Sequence, residues 1–180
     1  NINKFTQKSI EAINNCQNII SEYGNQYVEQ VHLLYSLITI DDSLIAQLLK
    51  KMGVPMEQFK SSITEEISRL PKVSGAGQMY FSQGANLALT KAEEHAKSMG
   101  DEYVSVEHLF LCLLKYPNKA MKELINEYGL TRDRFLQALS TVRGNQRVTS
   151  DNPEATYDTL EKYGYDMVER ARQQKLDPVI

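Results

Sequence analysis

The side chains that could do chemistry are few and widely spaced. His32 and His108 stand in matching surroundings, "VEQVHLLYSLI" and "VSVEHLFLCLL". Two histidines could hold a metal ion or move a proton, given carboxylates or thiols to complete the set. Such a set would make the chain a small hydrolytic or metal enzyme. No partner stands at ligand spacing: Cys16 and Cys112 form no C-x-x-C, and the acidic pairs Glu65-Glu66 and Glu93-Glu94 read as solvated helix faces. The other reading makes each histidine a packed residue near the start of a buried helix, hydrogen-bonded to its neighbours. His95 stands alone on a helix surface. The text contains no G-x-x-x-x-G-K-[ST], G-x-G-x-x-G or G-x-S-x-G, and "GAG" at Gly75–Gly77 follows no strand. The residues point to a binding module, with no catalytic residue and no metal site expected.

Composition narrows the partners. Twenty Lys and Arg against 23 Asp and Glu leave a formal net charge of −3. Basic and acidic residues are interleaved, so neither nucleic acid nor an anionic membrane is an expected partner. No apolar run approaches the ~20 residues of a membrane span. Two cysteines make no disulfide framework, and a reducing cytoplasm is the expected compartment. Apolar residues form 42% of the chain, rich in Leu, Ile, Ala and Met with no Trp, a mix that favours helices.

The elements that must carry these residues are written twice. At an offset of 76, Phe5 falls on Phe81, Ala12 on Ala88, Gly24 on Gly100, Tyr27-Val28 on Tyr103-Val104 and His32-Leu33 on His108-Leu109. The register continues through Leu48 and Leu124, Gly53 and Gly129, and Phe59 and Phe135, without a gap as far as about Ile67. The chain is a tandem duplication. In each copy Thr6 or Ser82 can cap a first helix that stops at Gly24 or Gly100. A second helix, about 28–40 and 105–116, has a wide apolar stripe and should be the buried one. A third, 43–52 and 119–128, ends at Gly53 and Gly129. A fourth opens after Val54-Pro55 and after Leu130-Thr131.

The expected fold is therefore all-α, a pseudo-two-fold tandem repeat of two four-helix units, about eight helices, plus a C-terminal linker helix. Repeat 1 covers about 5–70, a Pro- and Gly-broken linker 71–80, and repeat 2 about 81–144. The polar stretch 145–156 reads as a flexible tether and 157–180 as a further helix, broken near Pro178. Two packed lobes leave a seam, and apolar residues along it would form a binding groove.

The duplicated Y-V-x-x-x-H-L-x-x-x-L core and the tail resemble the N-terminal domain of the Clp ATPases over essentially the whole chain. Three segments resemble the disaggregating, ClpB-type branch of that family: "QYVEQVHLLYSLI", "RLPKVSG" and "LEKYGYDMVERARQQKLDPVI". The last resembles the entry to the first ATPase module. The resemblance implies a parent protein that is a homohexameric AAA+ ring, threading unfolded or aggregated polypeptides with DnaK as partner and using ATP and magnesium. No Walker A lysine is reached by Ile180, so these 180 residues carry no expected cofactor, no expected ATP hydrolysis and an expected monomeric state. Their implied task is to recognise exposed apolar segments of client proteins. The alternative within the family is an adaptor-docking domain of the ClpC or ClpA kind.

By the same resemblance, Thr6, Asp101 and Glu107 take the positions tied to client handling, and Leu89 and His108 those lining an apolar groove. His108 stands where leucine is usual. Read by themselves, Thr6 is also a helix N-cap, Asp101 a turn former, Glu107 a first-turn acid facing the helix dipole, and Leu89 a core residue.

Overall fold

The computed structural model describes residues 2–75 and 78–157. Among these the chain forms eight α-helices and two short strands: α1 (Gln7–Tyr23), β1 (Tyr27–Val28), α2 (Gln30–Thr39), α3 (Leu44–Lys51), α4 (Met56–Ser68), β2 (Tyr80–Phe81), α5 (Gln83–Ser98), α6 (Val106–Lys115), α7 (Lys119–Tyr128) and α8 (Arg132–Arg143). The all-helical double repeat is as the sequence reads. The helix expected over 157–180 lies, apart from Tyr157, outside the described residues.

Local signals account for the helix ends. Thr6 and Ser82 accept the backbone N–H of Ser9 and Ala85 at 3.2 Å, capping α1 and α5. Gly24 and Gly100 follow with φ of +70° and +75°, a left-handed conformation that side chains with a Cβ resist. The second helices are capped by their histidines: His32 Nδ1 accepts the Glu29 N–H and His108 Nδ1 accepts the Ser105 N–H. Thr131 caps α8 through the Arg134 N–H.

Alanine and β-branched residues on α1 and α5 let those helices lie close against α2 and α6, the most extensive helix pairings in the fold. Helices α2 and α6 are apolar nearly all round and sit in the middle, touching one another. One continuous core runs through both repeats, from Phe5 to Tyr157. Aromatic contacts stitch it: Phe110 and Phe135 lie 4.6 Å apart, and Phe59 of α4 meets Tyr128 of α7 edge-on at 4.9 Å.

The repeats are interlocked. Strand β2, the entry to α5 in repeat 2, pairs in parallel with β1 of repeat 1, Val28 opposite Phe81. Reciprocally, Phe5 at the entry to α1 pairs in parallel with Val104 of repeat 2. The hydrogen bonds repeat with the pairing: Ser82 N–H to the Val28 carbonyl at 3.0 Å, Thr6 N–H to the Val104 carbonyl at 2.9 Å. The sequence reading has no strands here, because two residues of extended chain leave no alternating pattern. The connection 71–80, read as a loose linker, is pinned by the Val73 N–H on the Gly24 carbonyl at 2.8 Å.

Candidate functional site

His32 and His108 are structural. Each Nδ1 accepts a backbone N–H, which places the ring proton on Nε2. His32 Nε2 then lies 2.8 Å from Asn25 Oδ1, and His108 Nε2 lies 2.7 Å from Asp101 Oδ2. Burial lowers the His32 imidazole to about 4. His95 is buried too, its ring 6.0 Å from His108 and its Nε2 3.1 Å from Arg132 Nη1. Burial and the neighbouring His108 and Arg132 lower it to about 4.

Asp101 belongs to a buried ionic cluster. Its Oδ1 binds Arg143 Nη2 and accepts the Val148 N–H at 2.9 Å. Arg143 Nη1 reaches Glu107 Oε2 at 3.2 Å, which also accepts the Tyr157 hydroxyl at 2.8 Å. Glu154 Oε2 accepts the Thr6 hydroxyl at 2.9 Å and the Val106 N–H at 3.3 Å. Burial alone would raise the Asp101 carboxyl. Hydrogen bonds from His108, Arg143 and the Val148 amide, with the Arg143 charge, hold it at about 2. Burial and the charge of Glu107 raise Glu154 to about 7.

This cluster gathers four of the five residues expected at a client-contacting surface. Thr6, Asp101, Glu107 and His108 are all buried in one network, with their side chains away from the surface. Leu89 is half-buried on α5 and packs on the edge of the core. Arg143, Glu154 and Tyr157 are the members that sequence reading leaves out. A buried arginine at the end of a helix and an acid in a polar stretch give no signal until their partners are placed. The one readable sign is that repeat 1 holds Asn25, Val31 and Ile67 where repeat 2 holds Asp101, Glu107 and Arg143.

The stretch expected as a flexible tether is also packed. Val148, Pro153, Glu154 and Tyr157 are buried, and the Glu102 N–H and Gln7 N–H donate to the Val148 and Asp151 carbonyls at 2.7 Å each. Alternating polar residues concealed this, because a few apolar anchors suffice when the backbone groups are also paired.

The seam between repeats is bridged at its centre and open at one end. Gln30, fully buried, crosses it: its amide N donates to the Gly84 and Tyr116 carbonyls at 3.0 and 2.9 Å, and its oxygen accepts the Asn118 N–H at 2.9 Å. A cleft of about 230 Å³ opens between the α3–α4 and α7–α8 ends, lined by Val54, Pro55, Gln58, Glu127, Tyr128 and Arg134. Apolar side chains do reach the surface elsewhere. Tyr27 and Tyr80, register partners across the strands, are 46% and 52% exposed, and Leu87 on α5 is 41% exposed. Among the described residues no group of three or more His, Cys, Asp or Glu is arranged to hold a metal ion, and no helix is long and apolar enough to cross a membrane. Cys16 and Cys112 are buried, and burial raises their thiols to about 12 and about 11.

Comparison with known proteins places this architecture. The family model of the Clp repeat (R) N-terminal domain matches residues 4–128. Chaperone protein ClpB of Nitratidesulfovibrio vulgaris is 45% identical over 184 aligned residues, covering 99% of this chain and 21% of the relative. ClpB of Bacillus anthracis is 39% identical over 183, with the same coverage. The chain thus spans about a fifth of the length of the curated relatives it matches. Among solved structures, the N-terminal domain of Hsp104 from Candida albicans superposes with a TM-score of 0.74 at 24% identity, covering 84% of this chain and 99% of that one. The ClpV N-domain in complex with a VipB peptide gives 0.64 at 21% identity, covering 85% and 91%.

Proposed function

Because the chain belongs to the Clp repeat (R) N-terminal domain family, we propose that it is the client-recognition domain of a ClpB-type disaggregase, binding exposed apolar segments of unfolded or aggregated polypeptides. What carries this reading is the match to ClpB chaperones along 99% of the chain. The surface supports it with apolar side chains left in water: Tyr27, Tyr80 and Leu87, with Leu89 half-buried. A fold neighbour, the ClpV N-domain, holds a peptide, so this kind of helical scaffold can present a peptide-binding face. In this reading Leu89 touches the client, while Thr6, Asp101, Glu107 and His108 act from inside the fold, as positioning residues.

Binding at such a face is weak. A few apolar side chains contribute a few kcal/mol at ~25 cal/mol per Å², most of it offset by ordering the client. A single domain should bind on the order of 100 µM or weaker. The homohexameric ring, its ATP and magnesium, its cytoplasmic location and its cooperation with DnaK belong to the proposal for the parent protein. Six domains on one ring would raise the avidity.

The test is a titration with reduced, carboxymethylated lactalbumin, followed by backbone chemical shifts. Shifts gathered at Tyr27, Tyr80, Leu87 and Leu89 support the reading. Shifts confined to Val54, Tyr128 and Arg134, or tighter binding of an adaptor protein than of any unfolded chain, would replace it.

A further inference from the structure

The segment from Val148 to Tyr157 bonds to both repeats where they interlock. To repeat 1 it offers the Asp151 carbonyl and carboxylate, which accept from Gln7 N–H at 2.7 Å and Gln7 Nε2 at 3.1 Å, and Glu154, which accepts from Thr6. To repeat 2 it offers the Val148 amide and carbonyl, Glu154 at the Val106 N–H, and the Tyr157 hydroxyl on Glu107. The interior it covers is ionic. Asp101 and Glu107 already share the guanidinium of Arg143, and the covering segment brings Glu154 in beside Glu107.

The titratable and charged groups around it come from every packed element. Helix α6 supplies Glu107 and His108, the α5–α6 connection Asp101, α8 Arg143, and α5 His95 against His108. Thr6, the N-cap of α1, and Ser9 supply hydroxyls, and Lys8 of α1 has Glu11 and the Asp41 carbonyl among its partners. The segment itself supplies Asp151, Glu154 and Tyr157. Two carboxylates sharing one cation are tolerable inside a protein, and a third ionised one beside them is costly.

We propose that residues 148–157 form a releasable strap whose docking takes up a proton, because docking brings the Glu154 carboxylate beside that of Glu107, which already shares one guanidinium with Asp101. In the docked state Tyr157 is held on Glu107. In the released state the ten residues 148–157 can extend over roughly 30 Å. The Glu154 carboxyl, raised on docking from 4.5 to about 7, sets the direction of the switch. Its contribution to docking is fully present below 4.5 and is lost progressively as the pH rises from there through about 7.

The test is amide hydrogen exchange by NMR on the 180-residue chain, corrected for the intrinsic exchange rate, at pH 5.5 and 7.5. The reporting amides are Gln7, Glu102 and Val148, which bond to or from the strap, with Leu34 and Leu111 as core references. Protection of the three reporters should fall about tenfold or more between the two pH values, with the references unchanged. Glu154→Gln should keep them protected at both. Tyr157→Phe, which removes the hydroxyl on Glu107, should lower protection at both while preserving the pH dependence. The proposal is overturned by equal wild-type protection at the two pH values, by Glu154→Gln either retaining the wild-type dependence or losing protection at both, or by references falling with the reporters. No client is present, so the outcome is independent of the client-binding reading.

Discussion

The carboxylate of Asp101 receives the Nε2–H of His108 across 2.7 Å, and one repeat earlier the amide oxygen of Asn25 receives that of His32 across 2.8 Å. The frame is the same and the chemistry differs. The amide needs no counter-ion, and repeat 1 has apolar Val31 and Ile67 at the positions of Glu107 and Arg143. The carboxylate needs one, and repeat 2 places Arg143 where repeat 1 has Ile67. One copy of the unit has a neutral hydrogen bond, while the other carries a buried ionic cluster and the segment that covers it.

The two histidine pairs give acid sensitivity. His32 is lowered from 6.5 to about 4, so its contribution to stability is present above 6.5 and is lost as the pH falls from there through 4. Asp101, lowered from 3.8 to about 2, contributes above 3.8 and loses that contribution as the pH falls through 2. His32→Gln should therefore remove about 3 kcal/mol of the stability lost between pH 7 and 4. Urea unfolding at the two pH values checks this, and an unchanged difference would contradict it.

Gln30 occupies the position that Val106 holds in repeat 2, yet it cannot be replaced by its mate. Gln30→Val would leave the Asn118 N–H and the carbonyls of Gly84 and Tyr116 without the partner they have now. The expected loss is about 2–4 kcal/mol by urea denaturation at neutral pH. A loss under 0.5 kcal/mol would mean that water replaces the amide.

Reciprocal pairing makes each unit incomplete. Residues 1–70 lack the Phe81 partner of Val28, and residues 79–157 lack the Phe5 partner of Val104. Neither half alone should show a cooperative thermal transition by circular dichroism, whereas an equimolar mixture should regain one. Cooperative melting of an isolated half would show that the shared core and the interlock are dispensable.

Much of the fold is legible in the sequence because duplication reads each unit twice, and because Thr6, Ser82, Gly24 and Gly129 are strong local signals. The reading fails where the cause is long-range. Extended pairs such as Val28–Phe81 have no period, and the anchors Val148, Glu154 and Tyr157 are scattered through polar text. At the candidate site the burial of Thr6, Asp101, Glu107 and His108 was not legible. A lone sequence gives a carboxylate's position in a helix, and burial follows only from what packs on top of it. His108, expected at a groove lip, is inside because its Nδ1 caps its own helix and draws the ring inward.

The measurement that bears most directly on function is fluorescence anisotropy of labelled, carboxymethylated lactalbumin titrated with the wild-type chain and with a Leu87→Ser, Leu89→Ser double variant. Saturable wild-type binding, weakened at least fivefold in the double variant while its urea midpoint moves little, is the result expected if α5 carries the client-contacting face. Wild-type and variant curves that coincide, or a wild-type curve with no saturable component, would contradict it.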